Sequence, residues 1–356
     1  MNNKILMSGN EAFGEGAIQA GCQFYAGYPI TPQNELIAYM ARHMPERNKV
    51  FIQAESELAA INMVFGASAA GMRAMTSSSS PGISLKQEGI SYMAGSELPG
   101  VIVNVMRGGP GLGNISPSQS DYFQATRGGG HGDYHSIVVA PASVQEAYDF
   151  MGLAFDLADK YRNTVIILGD GILGQMMEPL SINPTPDTRH PTPVKSWALT
   201  GCKGRKPNII RSLYLGEGVL EALNVSLQKK YQLIQQEEER YEGLFLNDAE
   251  IILVAYGTMF RISKTVVNNL RKKGKKIGLI RPITLWPFPS KVFSEYQDIR
   301  TPRHKDTKFL VVEMSCGQMV DDVRLAVNGK YPVEFLGRAG GGVPTEEEIT
   351  KKATEL

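Results

Sequence analysis

A chain of 356 residues can bury the cores of two or three domains. Its 37 basic and 36 acidic residues leave a net charge of +1, which excludes any general attraction to nucleic acid or anionic lipid. The apolar fraction of 42% is ordinary for a soluble globular protein, and no apolar run approaches the roughly 20 residues that span a bilayer. Residues 1–7 lack the long apolar core of a secretory signal. Cys22, Cys202 and Cys316 stand far apart without C-x-x-C spacing. They build no zinc or iron–sulfur site by themselves, and they suggest neither a disulfide framework nor an oxidising compartment. The expected location is cytoplasmic.

Residues 1 to about 180 are rich in Gly, Ala and Ser. Gly14, Gly16 and Gly21 lack the spacing of a dinucleotide fingerprint or a P-loop. In Gly27-Tyr28-Pro29-Ile30-Thr31-Pro32, two prolines bracket one hydroxyl. Proline fixes its own φ and restricts its predecessor, so Ile30 and Thr31 sit in a stiff loop. Thr31-Pro32 also reads as the cap and first turn of a helix over 33–44. Glu55 and Glu57 open the next helical stretch. Either they are solvated first-turn acids, favourable to the helix dipole, or one of them faces a site. Two positions apart, they cannot share a face. Glu57 adjoins the apolar run 58–64, broken only by Asn62, and is the better candidate for burial. A carboxyl group against an apolar wall is suited to proton exchange with a weakly basic ring nitrogen.

Ser77 to Ser80 before Pro81-Gly82 is not a nucleophile elbow and reads as a polar loop opening a helix at Ile83. Residues 101–105 form a buried strand. Arg107 ends it and precedes Gly-Gly-Pro-Gly-Leu-Gly. The carboxyl end of a parallel strand is where open α/β sheets bind ligands, and a guanidinium fork matches a carboxylate. A plain surface arginine is the alternative. His131, Asp133 and His135 could ligate a metal, but a glycine-rich loop is a poor scaffold for it. Strands over 136–140 and 164–168 flank a helix over 143–161 capped by Ser143, which implies a parallel sheet. Pro184, Pro186, Pro191 and Pro193 break the next region, and the polar stretch 229–240 reads as an exposed helix. From 248 the alternation returns: strand 250–256, helix 261–272 ended by Gly274, strand 276–280 and strand 309–313. This makes a second α/β domain of roughly a hundred residues.

In order along the chain, these segments resemble the alpha subunit of the 2-oxoacid:ferredoxin oxidoreductases, and most of all the 3-methyl-2-oxobutanoate (2-oxoisovalerate) branch. The likeness covers residues 9–12, 20–32, 53–60, 75–91, 107–113, 128–134, Gly257, 279–288 and 312–319. It implies an α/β fold whose residues 1–185 form the pyrimidine-binding domain of a thiamine-diphosphate enzyme. A connector with an amphipathic helix (186–247) and a transketolase C-terminal-like domain (248–356) would follow. Glu57 matches the family's catalytic glutamate, which hydrogen-bonds N1′ of the aminopyrimidine and so promotes removal of the C2 proton. Thr31 and Arg107 match its substrate contacts, and Pro29 and Ile30 lie in the segment that would meet the cofactor beside Glu57.

The diphosphate and Mg²⁺ would belong to a beta subunit. Gly169-Asp170-Gly171 only resembles the opening of the magnesium motif, because Asn183 is too close to complete it, so it reads as a strand-end turn. Iron–sulfur clusters would sit on the beta or a ferredoxin-like delta subunit, with a gamma subunit completing the complex. Coenzyme A and ferredoxin would be cosubstrates. The 2-oxoglutarate branch commonly reads Gln-Met-Glu-Asp-Glu and Thr-Ser-Gly-Pro-Gly where this chain has Gln53-Ala54-Glu55-Ser56-Glu57 and Ser79-Ser80-Pro81-Gly82. The departure favours a branched-chain 2-oxoacid, with 2-oxoglutarate as the alternative. The rival readings are a noncatalytic α/β scaffold and an NAD-linked dehydrogenase, the latter weakened by the missing fingerprint.

Overall fold

The computed structural model describes residues 4–182, 194–295 and 307–356. The first part of the chain runs β1 (Lys4–Ser8), α1 (Gly9–Gln19), β2 (Phe24–Gly27), α2 (Asn34–Glu46), β3 (Val50–Gln53), α3 (Glu57–Ala69), β4 (Ala74–Ser78), α4 (Ser80–Gly95) and β5 (Gly100–Met106). Next come α5 (Tyr122–Thr126), β6 (Ile137–Val139), α6 (Val144–Tyr161), β7 (Thr164–Asp170), α7 (Gly171–Gln175) and β8 (Met177–Ser181). The remainder is α8 (Val219–Glu237), β9 (Tyr241–Leu244), β10 (Ile251–Val254), α9 (Gly257–Lys272), β11 (Ile277–Pro282), β12 (Thr284–Trp286), α10 (Ser290–Glu295), β13 (Lys308–Glu313), α11 (Met319–Val327), β14 (Val333–Gly337) and α12 (Glu346–Glu355).

Strands β5 and β7 are buried at every position, as parallel strands covered on both faces must be, and this is why their sequences are continuous apolar runs. They lie at the centre of a seven-stranded sheet of order β12-β6-β7-β5-β4-β2-β3. All its pairings are parallel except β12 with β6. The chain passes from β2 to β3 on one side and then to β4 on the other. That reversal opens a crevice at the carboxyl ends of β2 and β4, the usual ligand position in such sheets. The second sheet runs β14-β13-β10-β11-β9 and is parallel except for β9. A separate ribbon pairs β1 with β8. Among the described residues no helix is long and apolar enough to cross a membrane.

Several expected elements differ in extent. The helix expected over 229–240 is α8, which starts ten residues earlier and buries Leu227, Tyr231 and Ile234. These residues recur at helical spacing, so a mostly polar sequence still docks one stripe. Tyr231 meets the edge of Trp286, and His135 stacks flat on that indole at 4.5 Å. Thr31-Pro32 does not cap α2. A turn closed by Gln33 N–H to the Ile30 carbonyl (3.1 Å) comes first, so Gln33 holds the cap position. The helix expected from Ile83 begins at Ser80, and that expected from Arg261 begins at Gly257. Ser143 does cap α6, accepting from Glu146 N–H. Strand β9, from the stretch read as connector, joins the second sheet, and β12 crosses back to the first. Asn183, the four prolines at 184–193 and the junction at 185 lie outside the described residues.

Asp170 shows what the Gly-Asp-Gly segment does. It caps α7 through Ile172 N–H (3.0 Å) and Leu173 N–H (3.1 Å). It also receives Thr258 Oγ1–H at 2.9 Å from the first turn of α9, so it pins the two domains together. Asp170→Ala strands these buried donors and is expected to cost about 3 kcal/mol, read as a lower urea midpoint; an unchanged midpoint would refute the clamp.

Candidate active site

The crevice is built by four strand-end loops. The loop after β2, residues 28–33, is tied down from behind. Asn10 and Gln175 side chains donate to the Pro32 carbonyl at 2.7 and 2.9 Å. Gln33 is fully buried and accepts from Ser77 Oγ at 2.6 Å, which in turn meets the Tyr25 hydroxyl at 2.6 Å. Burial pushes that phenol's pKa far up, so Tyr25 stays neutral in this network. Pro29 is exposed, Ile30 and Thr31 are half-buried, and Thr31 Oγ1 accepts from Asn34 Nδ2 at 3.2 Å.

Ser56 caps α3 through Ala59 N–H at 3.1 Å and so places Glu57 at the first helical position. Glu57 is buried, at 5% exposure, whereas Glu55 is exposed. Glu55 precedes the cap and lies outside α3, so the two acids do not open one helix as expected and differ because only Glu57 is on it. Among the described residues nothing hydrogen-bonds the Glu57 carboxylate. It lies over Gly82 in the first turn of α4, where an added Cβ would come 2.6 Å from Oε1 and 2.1 Å from Ser78 Oγ. The hydroxyls of Ser78 and Ser79 beside it are buried without partners. Such unsatisfied polar atoms around an open carboxylate suit a polar ring that brings its own donors and acceptors.

Arg107 follows β5 and is nearly buried. Its Nη1 donates to the Thr31 carbonyl at 2.9 Å and its Nη2 to the Leu112 carbonyl at 3.0 Å. Its Nε is buried without a partner. The structure thus joins Arg107 to Thr31, and the guanidinium keeps unused donors. Its main chain is fixed by Ser80 Oγ, which accepts Arg107 N–H at 3.0 Å and donates to Asp121 at 2.6 Å. Asn104 donates to the same Asp121 oxygen at 2.9 Å, and burial pushes that carboxyl's pKa up. Arg107 is therefore not the plain surface arginine of the alternative reading.

Sequence reasoning missed Gly82, Ser78 and Ser79, the Asp121 brace and Lys86. Lys86 is fully buried on α4, and its ammonium donates to the Glu57 carbonyl at 3.2 Å. Burial pushes its pKa down to about 7. Its signal was present: it shares a helical stripe with Ile83, Ile90 and Met93, where an apolar residue is expected. Tyr28, Leu58, Leu85, Leu112 and Ile115, which lie in or next to the loops after β2, β3, β4 and β5, are exposed, Leu112 by 81%.

Other candidates fall elsewhere. His131 is exposed and His135 is spent on the Trp286 stack. No group of three His, Cys, Asp or Glu among the described residues could hold a metal ion. The three cysteines are unpaired, and burial pushes the Cys22 thiol up to about 12.

The fold and this crevice define a two-domain α/β protein with an acid at a topological switch point. Residues 15–237 match the family model "pyruvate flavodoxin/ferredoxin oxidoreductase, thiamine diP-bdg", and residues 249–349 match "pyruvate:ferredoxin oxidoreductase core domain II". The chain belongs to this family of 2-oxoacid:ferredoxin oxidoreductases. It is 50% identical over 351 residues to the ketoisovalerate oxidoreductase subunit VorB of Methanothermobacter marburgensis, covering 99% of this chain and 97% of that one. It is 36% identical to the 2-oxoglutarate synthase subunit KorA of Methanothermobacter thermautotrophicus, covering 98% of each. A solved 2-oxoglutarate:ferredoxin oxidoreductase from Magnetococcus marinus superposes with a TM-score of 0.87 at 28% identity, covering 99% of this chain. This chain spans 65% of that longer one. A split-gene transketolase matches at a TM-score of 0.59 and 13% identity, a likeness of fold alone. The first domain is thus of the thiamine-diphosphate-binding type, and the chain acts as a subunit of a multisubunit oxidoreductase.

Proposed function

We propose that this chain is the alpha-type subunit of a branched-chain 2-oxoacid:ferredoxin oxidoreductase, with 3-methyl-2-oxobutanoate as its substrate. The observation that carries this is the unpaired Glu57 carboxylate over Gly82 at the β2/β4 crevice, with Arg107 and Thr31 on the same edge. Half identity to ketoisovalerate subunits supports the substrate.

The residues fit the aminopyrimidine end of thiamine diphosphate. Glu57 would hold a proton at N1′, the flat floor at Gly82 would admit the ring, and Ser78 and Ser79 supply unused hydroxyls. Pro29 and Ile30 shape the facing loop. When bound, the cofactor supplies the carbon nucleophile and electron sink for decarboxylation. Arg107 would orient the substrate carboxylate through its unused guanidinium donors, and Thr31 would hydrogen-bond the same end. The exposed apolar side chains in and next to these loops would be covered by a beta subunit carrying the diphosphate and Mg²⁺, which excludes water from the crevice. Gamma and ferredoxin-like delta subunits, with iron–sulfur clusters outside this chain, would pass electrons to ferredoxin while coenzyme A takes the acyl group. A cytoplasmic setting suits this chemistry.

Arg107→Lys tests the substrate role. It keeps the charge but loses the planar fork and at least one of the loop contacts. In the assembled complex it is expected to raise the KM for the 2-oxoacid about tenfold or more and to slow turnover, an energy near ~1.4 kcal/mol. Unchanged kinetics would remove Arg107 from the site.

A further inference from the structure

Helix α4 buries Ile83, Lys86, Gln87, Ile90, Met93 and Ala94 along one stripe. A lysine in that stripe is costly, because an ammonium removed from water needs a compensating charge and bonds. Lys86 is fully buried, and the bond to the Glu57 carbonyl is its one hydrogen bond among the described residues. No carboxylate there lies within ion-pair distance of it. Gly82, the glycine beneath the Glu57 carboxylate, stands one helical turn before Lys86. The ammonium therefore reaches the first turn of α3 from α4, beside the acid.

The other charges near this helix are occupied or turned away. Glu88 is exposed and bonded to the Tyr92 hydroxyl. Asp121 is held by Ser80 and Asn104, and Arg107 by the Thr31 and Leu112 carbonyls. Tyr134 reaches Gln87 rather than Lys86. In the packed elements, α3 carries no charged residue but Glu57, β4 and β5 carry none, and the one acid of β7, Asp170, caps α7. Glu57 is the charge that acts on Lys86.

We propose that Lys86 is a positioning residue for Glu57, fixing its main chain and serving as the buried cation beside the acid when the pyrimidine N1′ arrives. This rests on the cofactor role proposed for Glu57. The sign follows from electrostatics. Burial disfavours the Lys86 ammonium, and the nearby Glu57 charge favours it. The lysine's titration lies close to neutrality, so cofactor binding at Glu57 is expected to change the number of protons Lys86 holds.

The test uses Lys86→Met, which keeps the length of the side chain, in the assembled complex. Calorimetric titration with thiamine diphosphate and Mg²⁺, in buffers of different ionisation heat on either side of neutral pH, counts the protons exchanged on binding. The wild-type count is expected to change across this range, and the Lys86→Met count to lose that change. The pH profile of C2 proton exchange should change shape near neutrality, where Lys86 titrates. The thermal midpoint is read in parallel, and Lys86→Gln, which keeps an N–H donor without the charge, separates loss of the ammonium from loss of the fold. If Lys86→Met alters affinity and exchange uniformly at every pH, with the proton count unchanged, the residue is structural and the proposal is overturned. Glu57→Gln in parallel separates the two ideas: if it leaves exchange untouched, the Glu57 assignment fails and this inference fails with it.

Discussion

Glu57→Gln is expected to slow C2 proton exchange of thiamine diphosphate in the assembled complex by on the order of 10² to 10⁴, with assembly intact. The amide is isosteric with the carboxylate, so the packing on Gly82 and the Ser56 cap are kept. What is lost is the ability to hold a proton at N1′. The carboxylate has no protein partner, so replacing it breaks no structural hydrogen bond among the described residues, and the damage should be confined to chemistry. Glu55→Gln is the internal control. Glu55 is exposed on the other side of the helix start, and its replacement should change exchange by less than about twofold, as for surface sites. A critical Glu55 with a dispensable Glu57 would mean that the wrong acid had been assigned. Exchange is read by proton magnetic resonance after acid quench.

The second large effect concerns the isolated chain. Purified alone, it is expected to bind thiamine diphosphate too weakly for calorimetric detection and to reduce no acceptor. The crevice offers an acid, serine hydroxyls and an arginine, but no carboxylate or histidine cluster among the described residues for a divalent ion. A diphosphate binds mainly through metal and cationic or main-chain donors, so most of its binding energy must come from elsewhere. The exposed side chains Tyr28, Leu58, Leu85, Leu112 and Ile115 are the surface on which that other chain is expected to dock. Adding a thiamine-binding partner should restore tight binding. Strong, stoichiometric binding to the chain alone would sink this division of labour.

Much of the central sheet could be read from sequence because burial on both faces leaves apolar runs, as in 101–105 and 164–168, that alternation cannot imitate. The helix cap at Ser143 was legible for the same local reason. Short strands such as β2 and β3 were not, since four residues with a glycine or a polar end carry little signal. Nor could sequence show that β12 crosses to the first sheet, because that is decided by contact with β6 and by no local pattern. In the site, the apolar run 58–64 marked Glu57 over Glu55 as the acid to be buried, although Glu55 lies before the helix and not on another face of it. The Arg107–Thr31 contact and the Asp121 brace join residues far apart in sequence, and only folding brings them together. Lys86 was visible as a charge in an apolar stripe, but its meaning depends on Glu57 lying across from it on α3.

The most direct test is a comparison of two substrates on the assembled complex. The side-chain end of a pocket for a branched acid is expected to be apolar, and such a pocket separates neighbouring aliphatic 2-oxoacids by only about 1 to 3 kcal/mol per methylene, so several should be turned over. The distal carboxylate of 2-oxoglutarate would be desolvated there without a partner and is disfavoured more strongly. Ferredoxin reduction in the presence of coenzyme A, measured with 3-methyl-2-oxobutanoate and with 2-oxoglutarate, should give a specificity constant at least ten times higher for the branched acid. A higher constant for 2-oxoglutarate would contradict the assignment.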